Sequence, residues 1–474
     1  LNKVIYLFLF LFLLTPDNLV GQVETLDAFV QQEQEIENFP GVAACVVKKG
    51  QIVWSGAYGV QEYQDNNPVT TETLFTIASL TKLFTSTAII QLVEDGLINL
   101  DDDINNYLPF EIKNPHFPNS VMTVSQLLQH RSSLRDPESL LFTYQEQGDP
   151  TYPLETYVFD YLNPEGATYT DQIYNTENGP GLSQWYSNLG FATLGVMIQE
   201  ASGLSYEAYI EERILEPLCM SKSTFRFANV DLEEMAMPHA GTEPLSYYGI
   251  PNLPAALLKS NVEELANFLI AYTNRGFLGD FQLLSQESAD LLTPLSFEEE
   301  NLGWWNGTTW TFTAYAPMEE VWFHGGFMPG IRCRMNYYPQ DSSGIIILTN
   351  GQGTYRYIED TLQKYIPEFS FDPEFLNCNE EAPSGIAHNE AKESLQLFPN
   401  PASDFVFIGI KESLIDRVEI FDINGKRVEL MDFPENSFGT KKIDLSFLTS
   451  GNYLISVRTK NGLVYQERFA IFRK

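Results

Sequence analysis

Positive charge is what this 474-residue chain most lacks: 28 Lys and Arg stand against 63 Asp and Glu, for a net charge of −35. Such an acidic body argues against nucleic acid and anionic membrane surfaces as partners. The deficit is uneven, because Ser394 to Lys474 holds 11 basic and 10 acidic residues and the first 393 residues therefore carry −36. Cysteine is also scarce. Cys45, Cys219, Cys333 and Cys378 are scattered, with no C-x-x-C and no nearby histidine pattern. That argues against a zinc or redox centre, so neither metal nor cofactor is expected. One disulfide remains open to the chain, and nothing in the sequence pairs the thiols. Long apolar runs are missing too. Val4 to Leu14, behind Lys3, is too short to span a bilayer but suits the core of a secretory signal peptide. Removal of residues 1–21 is expected, near Gly21/Gln22, leaving a mature chain without a transmembrane span.

What is present is the composition of a globular protein, 44% hydrophobic and 19% charged, long enough for an enzyme core with an accessory module. Val23 to Asn38 places Leu26, Phe29, Val30 and Ile36 on one side of an amphipathic helix. Gly41 to Lys48 and Gln51 to Tyr58, around Lys49-Gly50, form a hairpin pattern. A short helix is expected over Met122 to His130 with Thr123 as its cap, then loops and short helices from Arg131 to Pro180. Further helices are expected over Phe191 to Ala201, Ser205 to Leu215 and Asn261 to Asn274. Val321 to Phe323, Ile331 to Tyr338 and Gly344 to Thr349 are strand-like, the first interrupted by His324-Gly325-Gly326, and Tyr357 to Ile366 closes the body as a helix. The pattern predicts an α+β fold: an antiparallel sheet, terminal helices packed on it, and a helical insert.

The body is organised around Ser79-Leu80-Thr81-Lys82, at the mouth of an apolar segment that ends in Asp95-Gly96. Ser79 is expected in the first turn of a buried helix with a glycine stop. Residues three apart share a helix face, so Lys82 Nζ can reach Ser79 Oγ. A serine cap followed by a surface lysine would explain the tetrapeptide alone. The chain holds no second Ser-x-x-Lys, however, and two further motifs follow it: Tyr186-Ser187-Asn188 and His324-Gly325-Gly326. Tyr161-Leu-Asn163 and Tyr272-Thr-Asn274 also fit Tyr-x-Asn, but only Tyr186 follows a Pro-Gly turn and precedes a helix.

In that order the motifs resemble the serine β-lactamase and penicillin-binding-protein superfamily, in its class C β-lactamase-like branch, from about Gln22 to Phe371. Leu127-Leu-Gln-His-Arg-Ser-Ser-Leu134 is similar to the family's L-L-x-H-x-S-G-L. Tyr186 to Phe225 follows its later pattern, with Ser133 and Cys219 standing where glycine is usual. The resemblance implies a β-lactamase/transpeptidase-like fold over residues 22–376 and an acyl-enzyme on Ser79. It implies Lys82 and a partly ionised or proton-relaying Tyr186 as the base system, and Asn188 as the orienter of Lys82 and substrate. Backbone N–H groups of Ser79 and Phe327 would form an oxyanion hole on the Gly325-Gly326 strand. His324 replaces a lysine common in relatives, which favours an esterase or D-amino-acid peptidase over a true β-lactamase. Acidification toward pH 6 would then charge His324. A catalytically silent binder of peptidoglycan fragments or protein is the competing class, and loss of a motif residue would be its mark; none is lost.

Residues 377–393 form an acidic Pro-, Ser- and Gly-containing linker. Residues 394–474 carry seven short strand patterns separated by turn residues, which predicts a small Ig-like β-sandwich. Phe398-Pro-Asn-Pro-Ala402, Asn424-Gly-Lys426, Leu448-x-Ser-Gly-x-Tyr453 and the terminal Arg473-Lys474 resemble a type IX secretion C-terminal sorting domain. That resemblance implies the type IX machinery as a partner, alongside a small-molecule or peptide substrate. It also implies export through the periplasm to the cell surface or medium.

Overall fold

The computed structural model describes residues 18–64, 67–137, 140, 146–293, 305–306, 311–315, 319–369, 395–398, 405–410, 415–422, 426–432, 441–449, 451–459 and 464–471. The expected signal core, the linker, and the motif residues Pro399–Ala402, Asn424–Gly425 and Arg473–Lys474 lie outside them. By its contacts the chain divides into two compact units, residues 1–380 and 381–474.

Among the described residues of the first unit, seven strands make one antiparallel sheet. Their order is Trp305–Asn306, Thr311–Tyr315, Glu319–Met328, Ile331–Tyr338, Ser343–Thr349, Gly41–Lys48, Gln51–Gly59. Gly41–Lys48 shows why the sequence reads as an unbroken apolar run. Val42, Ala44 and Val46 pack with Leu26 and Val30 of the Asn18–Ile36 helix and with Ile358 and Leu362 of the Arg356–Tyr365 helix. Ala43, Cys45 and Val47 point the other way, into the core shared with Leu265, Phe268 and Leu269 of the Val262–Thr273 helix. Successive side chains alternate between faces, and both faces are covered. Lys49 and Gly50 both have positive φ, +50° and +81°, which suits the tight turn of this hairpin.

The helical insert joins the same core through the Thr81–Glu94 helix. It includes Leu154–Leu162, Asn188–Ser202, and Tyr206–Ile210, which runs into a π-turn at Glu211–Leu215. The helix Val124–Leu128 is shorter than the expected Met122 to His130, and it opens at the expected cap, Thr123, in a capping box with Gln126. One expectation changes. His324-Gly325-Gly326 does not interrupt a strand but lies inside Glu319–Met328, paired through to Met335, Arg334 and Cys333.

The second unit has seven strands among its described residues. Three form the sheet Leu395–Phe398, Phe405–Ile410, Lys441–Asp444, and four form Arg427–Asp432, Ile415–Asp422, Gly451–Thr459, Val464–Ile471. Ile408 and Ile443 of the first sheet share one core with Val418, Ile420, Ile455 and Val457 of the second, a small two-sheet β domain.

Candidate active site

Ser79 lies in a tight 3-10 turn, Ala78–Leu80, that runs directly into the Thr81–Glu94 helix. That helix is buried from Thr81 to Leu92 and stops at Gly96, whose φ is +70°. Ala78, the residue before Ser79, has φ +46°. A left-handed backbone costs a residue with a Cβ about 1–2 kcal/mol, and persists where surrounding contacts over-determine it. Those contacts are present: Thr81 Oγ1 donates to Ala78 O at 2.7 Å, Leu258 N to Thr81 Oγ1 at 3.2 Å, and Ile77 N to Leu258 O at 2.9 Å. The turn is pinned from both sides.

Lys82 is fully buried, and its Nζ has three oxygen partners: Ser79 Oγ at 3.1 Å, Asn188 Oδ1 at 2.7 Å and Ala255 O at 2.8 Å. Asn188 begins the Asn188–Ser202 helix, and Ala255 belongs to the short Leu253–Ala256 helix. Asn252 Nδ2 donates to Asn188 O at 2.9 Å and ties the two segments together. The Tyr186 ring lies 4.9 Å from Lys82 Nζ. Tyr186 is 46% exposed, and its hydroxyl is hydrogen-bonded to Ser79. His324 faces the same space, its ring 6.5 Å from that of Tyr186.

Burial is the largest influence on the titration of Lys82, Tyr186 and His324. Loss of water lowers Lys82 to about 7, opposed by the Asp136 carboxylate. Burial pushes Tyr186 up, and Asp136 adds to the rise, while the Ser79 hydrogen bond opposes it. These directions favour a neutral phenol, and so the proton-relaying rather than the partly ionised alternative for Tyr186, with the amine half-protonated near pH 7. Burial and the nearby Lys82 lower His324 to about 3. Its Nδ1 is 2.8 Å from Gly325 O, a contact that requires a proton on Nδ1 and leaves the lone pair on Nε2. With its pKa at about 3, His324 stays neutral at pH 6 as well as at pH 8, against the expectation that mild acid would charge it.

The two glycines differ. A Cβ on Gly326 would stand 2.7 Å from Ile77 O, 2.8 Å from Cys333 Sγ and 3.2 Å from Ala78 Cβ, so the strand presses its bare backbone against the Ser79 turn. A Cβ on Gly325 would meet nothing nearer than Tyr355 Oη at 3.6 Å. Phe327, next along, is exposed and stacks under the Arg332 guanidinium at 4.4 Å. Of the other Tyr-x-Asn matches, Tyr161 is buried in the Leu154–Leu162 helix, and the Tyr272 hydroxyl pairs with Thr87 Oγ1 at 2.7 Å.

Sequence reasoning missed the groups behind the site. Asp136 accepts from Asn188 N, Asn188 Nδ2, Ser187 Oγ and Leu189 N at 2.6, 2.7, 2.9 and 3.2 Å. His130, buried at φ +57°, accepts the Ser187 N–H on Nδ1 at 3.1 Å and lays its ring 4.3 Å from that of Tyr186. His130 was visible as part of the Leu127–Leu134 signature, whereas Asp136 had no spacing signal. Arg135 stacks on the exposed Trp185 at 4.1 Å, beside Tyr186. Among the described residues, no cluster of three or more His, Cys, Asp or Glu is placed to hold a metal, and no helix is long and apolar enough to cross a membrane.

A sheet strand laid against a Ser-x-x-Lys turn, with helices closing the other side, is the architecture of the β-lactamase-fold serine hydrolases. Residues 26–366 match the Beta-lactamase family model, and the chain belongs to that family. Residues 396–471 match the secretion system C-terminal sorting domain, which implies export. Protein flp of Staphylococcus aureus is 24% identical over 345 residues, 70% of this chain; the match spans only 64% of that relative's length. EstCE1, a hydrolase with promiscuous acyltransferase activity, superposes with TM-score 0.59 at 17% identity, covering 72% of this chain and 98% of its own. A class C beta-lactamase superposes with TM-score 0.58 at 20% identity, covering 74% and 96%.

Proposed function

We propose that the protein is an exported serine hydrolase that forms an acyl-enzyme on Ser79 and acts on esters or D-amino-acid peptides. The observation that carries this is the hydrogen bonding of Lys82 Nζ. Two of its three partners, Asn188 Oδ1 and Ala255 O, can only accept. As an ammonium Lys82 donates to all three oxygens, Ser79 Oγ included at 3.1 Å; on losing one proton it keeps the two N–H bonds to the obligate acceptors and turns its lone pair to the Ser79 hydroxyl. With burial bringing the amine to about 7, this is a base poised for neutral pH.

In the proposed reaction Lys82 takes the Ser79 proton as Oγ attacks the carbonyl. Tyr186, neutral and bonded to Ser79, hands a proton to the leaving group and is reprotonated through Lys82. Backbone N–H groups of Ser79 and Phe327 receive the oxyanion, which the close approach of Gly326 to the Ile77–Ser79 turn makes geometrically reasonable. Water then releases the acid. A neutral His324 offers no cation to a substrate carboxylate, which favours ester or peptide substrates over β-lactams. Residues 1–21 would direct export, and the C-terminal domain would address the enzyme, through the type IX machinery, to the surface or medium.

Intact mass after fluorophosphonate treatment tests the assignment. One adduct is expected on the wild type and none on Ser79→Ala, with turnover of p-nitrophenyl esters above that of nitrocefin. Labelling that survives the substitution removes the reading.

A further inference from the structure

We propose that Asp136 is a positioning residue for the reaction proposed above: its carboxylate fixes the amide of Asn188 and, through it, the place and charge of Lys82. The inference rests on the Ser79 reading but concerns a residue that no motif contains.

The two ends of the Asn188 amide are chemically different, one accepting and one donating. Asp136 Oδ2 takes the Nδ2 end at 2.7 Å, which leaves the Oδ1 end 2.7 Å from Lys82 Nζ. Reversing the amide would set a carbonyl against the carboxylate and an NH2 against the lysine. The carboxylate therefore determines which atom Lys82 meets. The same Oδ2 also holds Asn188 N at 2.6 Å, so backbone and side chain are fixed by one oxygen.

Asp136 is also the source of charge that opposes the desolvation of Lys82. The other titratable groups facing Lys82 come from separate segments. They are Tyr186 ahead of the Asn188–Ser202 helix, His130 after Val124–Leu128, and His324 on the Glu319–Met328 strand. These three are neutral rings, with burial raising the phenol and lowering both imidazoles. A carboxylate one amide away from an amine raises its pKa, so removing the charge should leave Lys82 neutral at lower pH.

A structural role competes, because Asp136 Oδ1 also accepts from Ser187 Oγ and Leu189 N at the start of the helix. A lost helix cap lowers stability but does not move a titration. The test follows the rate of Ser79 phosphonylation against pH in the full chain, with thermal melts alongside. Wild type should show an acid limb near the Lys82 value. Asp136→Asn should move that limb down by about one unit and lower the maximal rate by roughly tenfold. Asp136→Glu keeps the charge but displaces it by a methylene, so the limb should stay in place while the maximal rate falls several-fold. An unmoved limb in Asp136→Asn overturns the inference. If that variant does not fold, Asp136→Glu decides, and an unslowed rate there overturns it. Absence of a Ser79 adduct on the wild type would instead remove the functional reading itself, a separate outcome.

Discussion

Lys82 Nζ and Ser79 Oγ stand 3.1 Å apart, one helical turn from each other, with the lysine wholly enclosed and its remaining hydrogen bonds fixed on two oxygens. The pair sets the first prediction. Below pH 7 Lys82 is predominantly an ammonium and has no lone pair for the serine proton; above it the amine is free. kcat/KM for a neutral ester should therefore rise tenfold per pH unit up to about 7 and level off above. Lys82→Arg, permanently charged, should lose about 10²- to 10⁴-fold at pH 7.5, the usual range for a missing general base. A limb governed instead by a group near 10, with Lys82→Arg still active, would return the base role to Tyr186.

Gly326 and Gly325 should separate cleanly. At Gly326 a methyl group would sit 2.7 Å from Ile77 O and 2.8 Å from Cys333 Sγ, so the strand or the Ser79 turn must shift. A displacement of about 1 Å at such a site costs on the order of a hundredfold, and Gly326→Ala should lose at least that in ester hydrolysis. Gly325→Ala meets ordinary contact distances and should stay within fivefold. Equal losses in both variants would show that the tight approach is not what positions the serine.

The two departures from glycine in the family pattern have a physical signature. Cys219 has φ +56° and Ser133 has φ +68°, backbone that favours a residue without a Cβ. Cys219→Gly should stabilise the hydrolase domain by about 1 kcal/mol, seen as a higher denaturation midpoint at unchanged m value. Ser133→Gly should gain less, because it removes one acceptor of Asn114 Nδ2, at 3.0 Å, and leaves that NH2 group only Asn175 O. A destabilised Cys219→Gly would show that the thiol's contacts outweigh the relief of strain.

Much of this architecture was legible because local pattern and tertiary role agree. The Thr81–Glu94 helix is buried nearly all round and reads as an apolar run with a glycine stop. The hairpin at Lys49-Gly50 and the cap at Thr123 are written in turn and capping chemistry. The strands at Trp305–Asn306 and Thr311–Tyr315 were not read, and the apparent break at His324-Gly325-Gly326 was a continuous strand. Two glycines lower strand propensity whether or not a neighbouring turn requires one of them, so composition could not separate Gly326 from Gly325. Of the site, Ser79, Lys82, Tyr186, Asn188 and His324 converge as their motifs suggested. Asp136, Asn252 and the Ala255 carbonyl arrive from segments whose spacing encodes nothing about Lys82. Charge state was the least legible property, because it depends on burial: ordinary values would place Tyr186 and His324 nearer to ionisation than the enclosed site does.

The last prediction concerns His324. A neutral imidazole whose Nδ1 proton is tied to Gly325 O has no charge and only a lone pair on Nε2, which is unfavourable beside a substrate carboxylate. Short p-nitrophenyl esters should therefore exceed penicillins in kcat/KM at pH 7.5. Because burial holds His324 near 3, the ratio of the two should not change between pH 8 and pH 6, even as both rates fall with Lys82. His324→Lys should improve carboxylate-bearing substrates by roughly ten- to a hundredfold relative to neutral esters, the scale of one charge-assisted hydrogen bond of about 1.5–3 kcal/mol. The added ammonium should also depress Lys82 further and move the acid limb down, since like charges disfavour each other's ionised forms. A wild-type ratio that rises toward penicillins as the pH falls to 6 would show that His324 does ionise. A His324→Lys variant that changes both substrate classes equally would place carboxylate recognition elsewhere on the cleft, with Arg135, stacked on Trp185 next to Tyr186 in the chain, as one candidate.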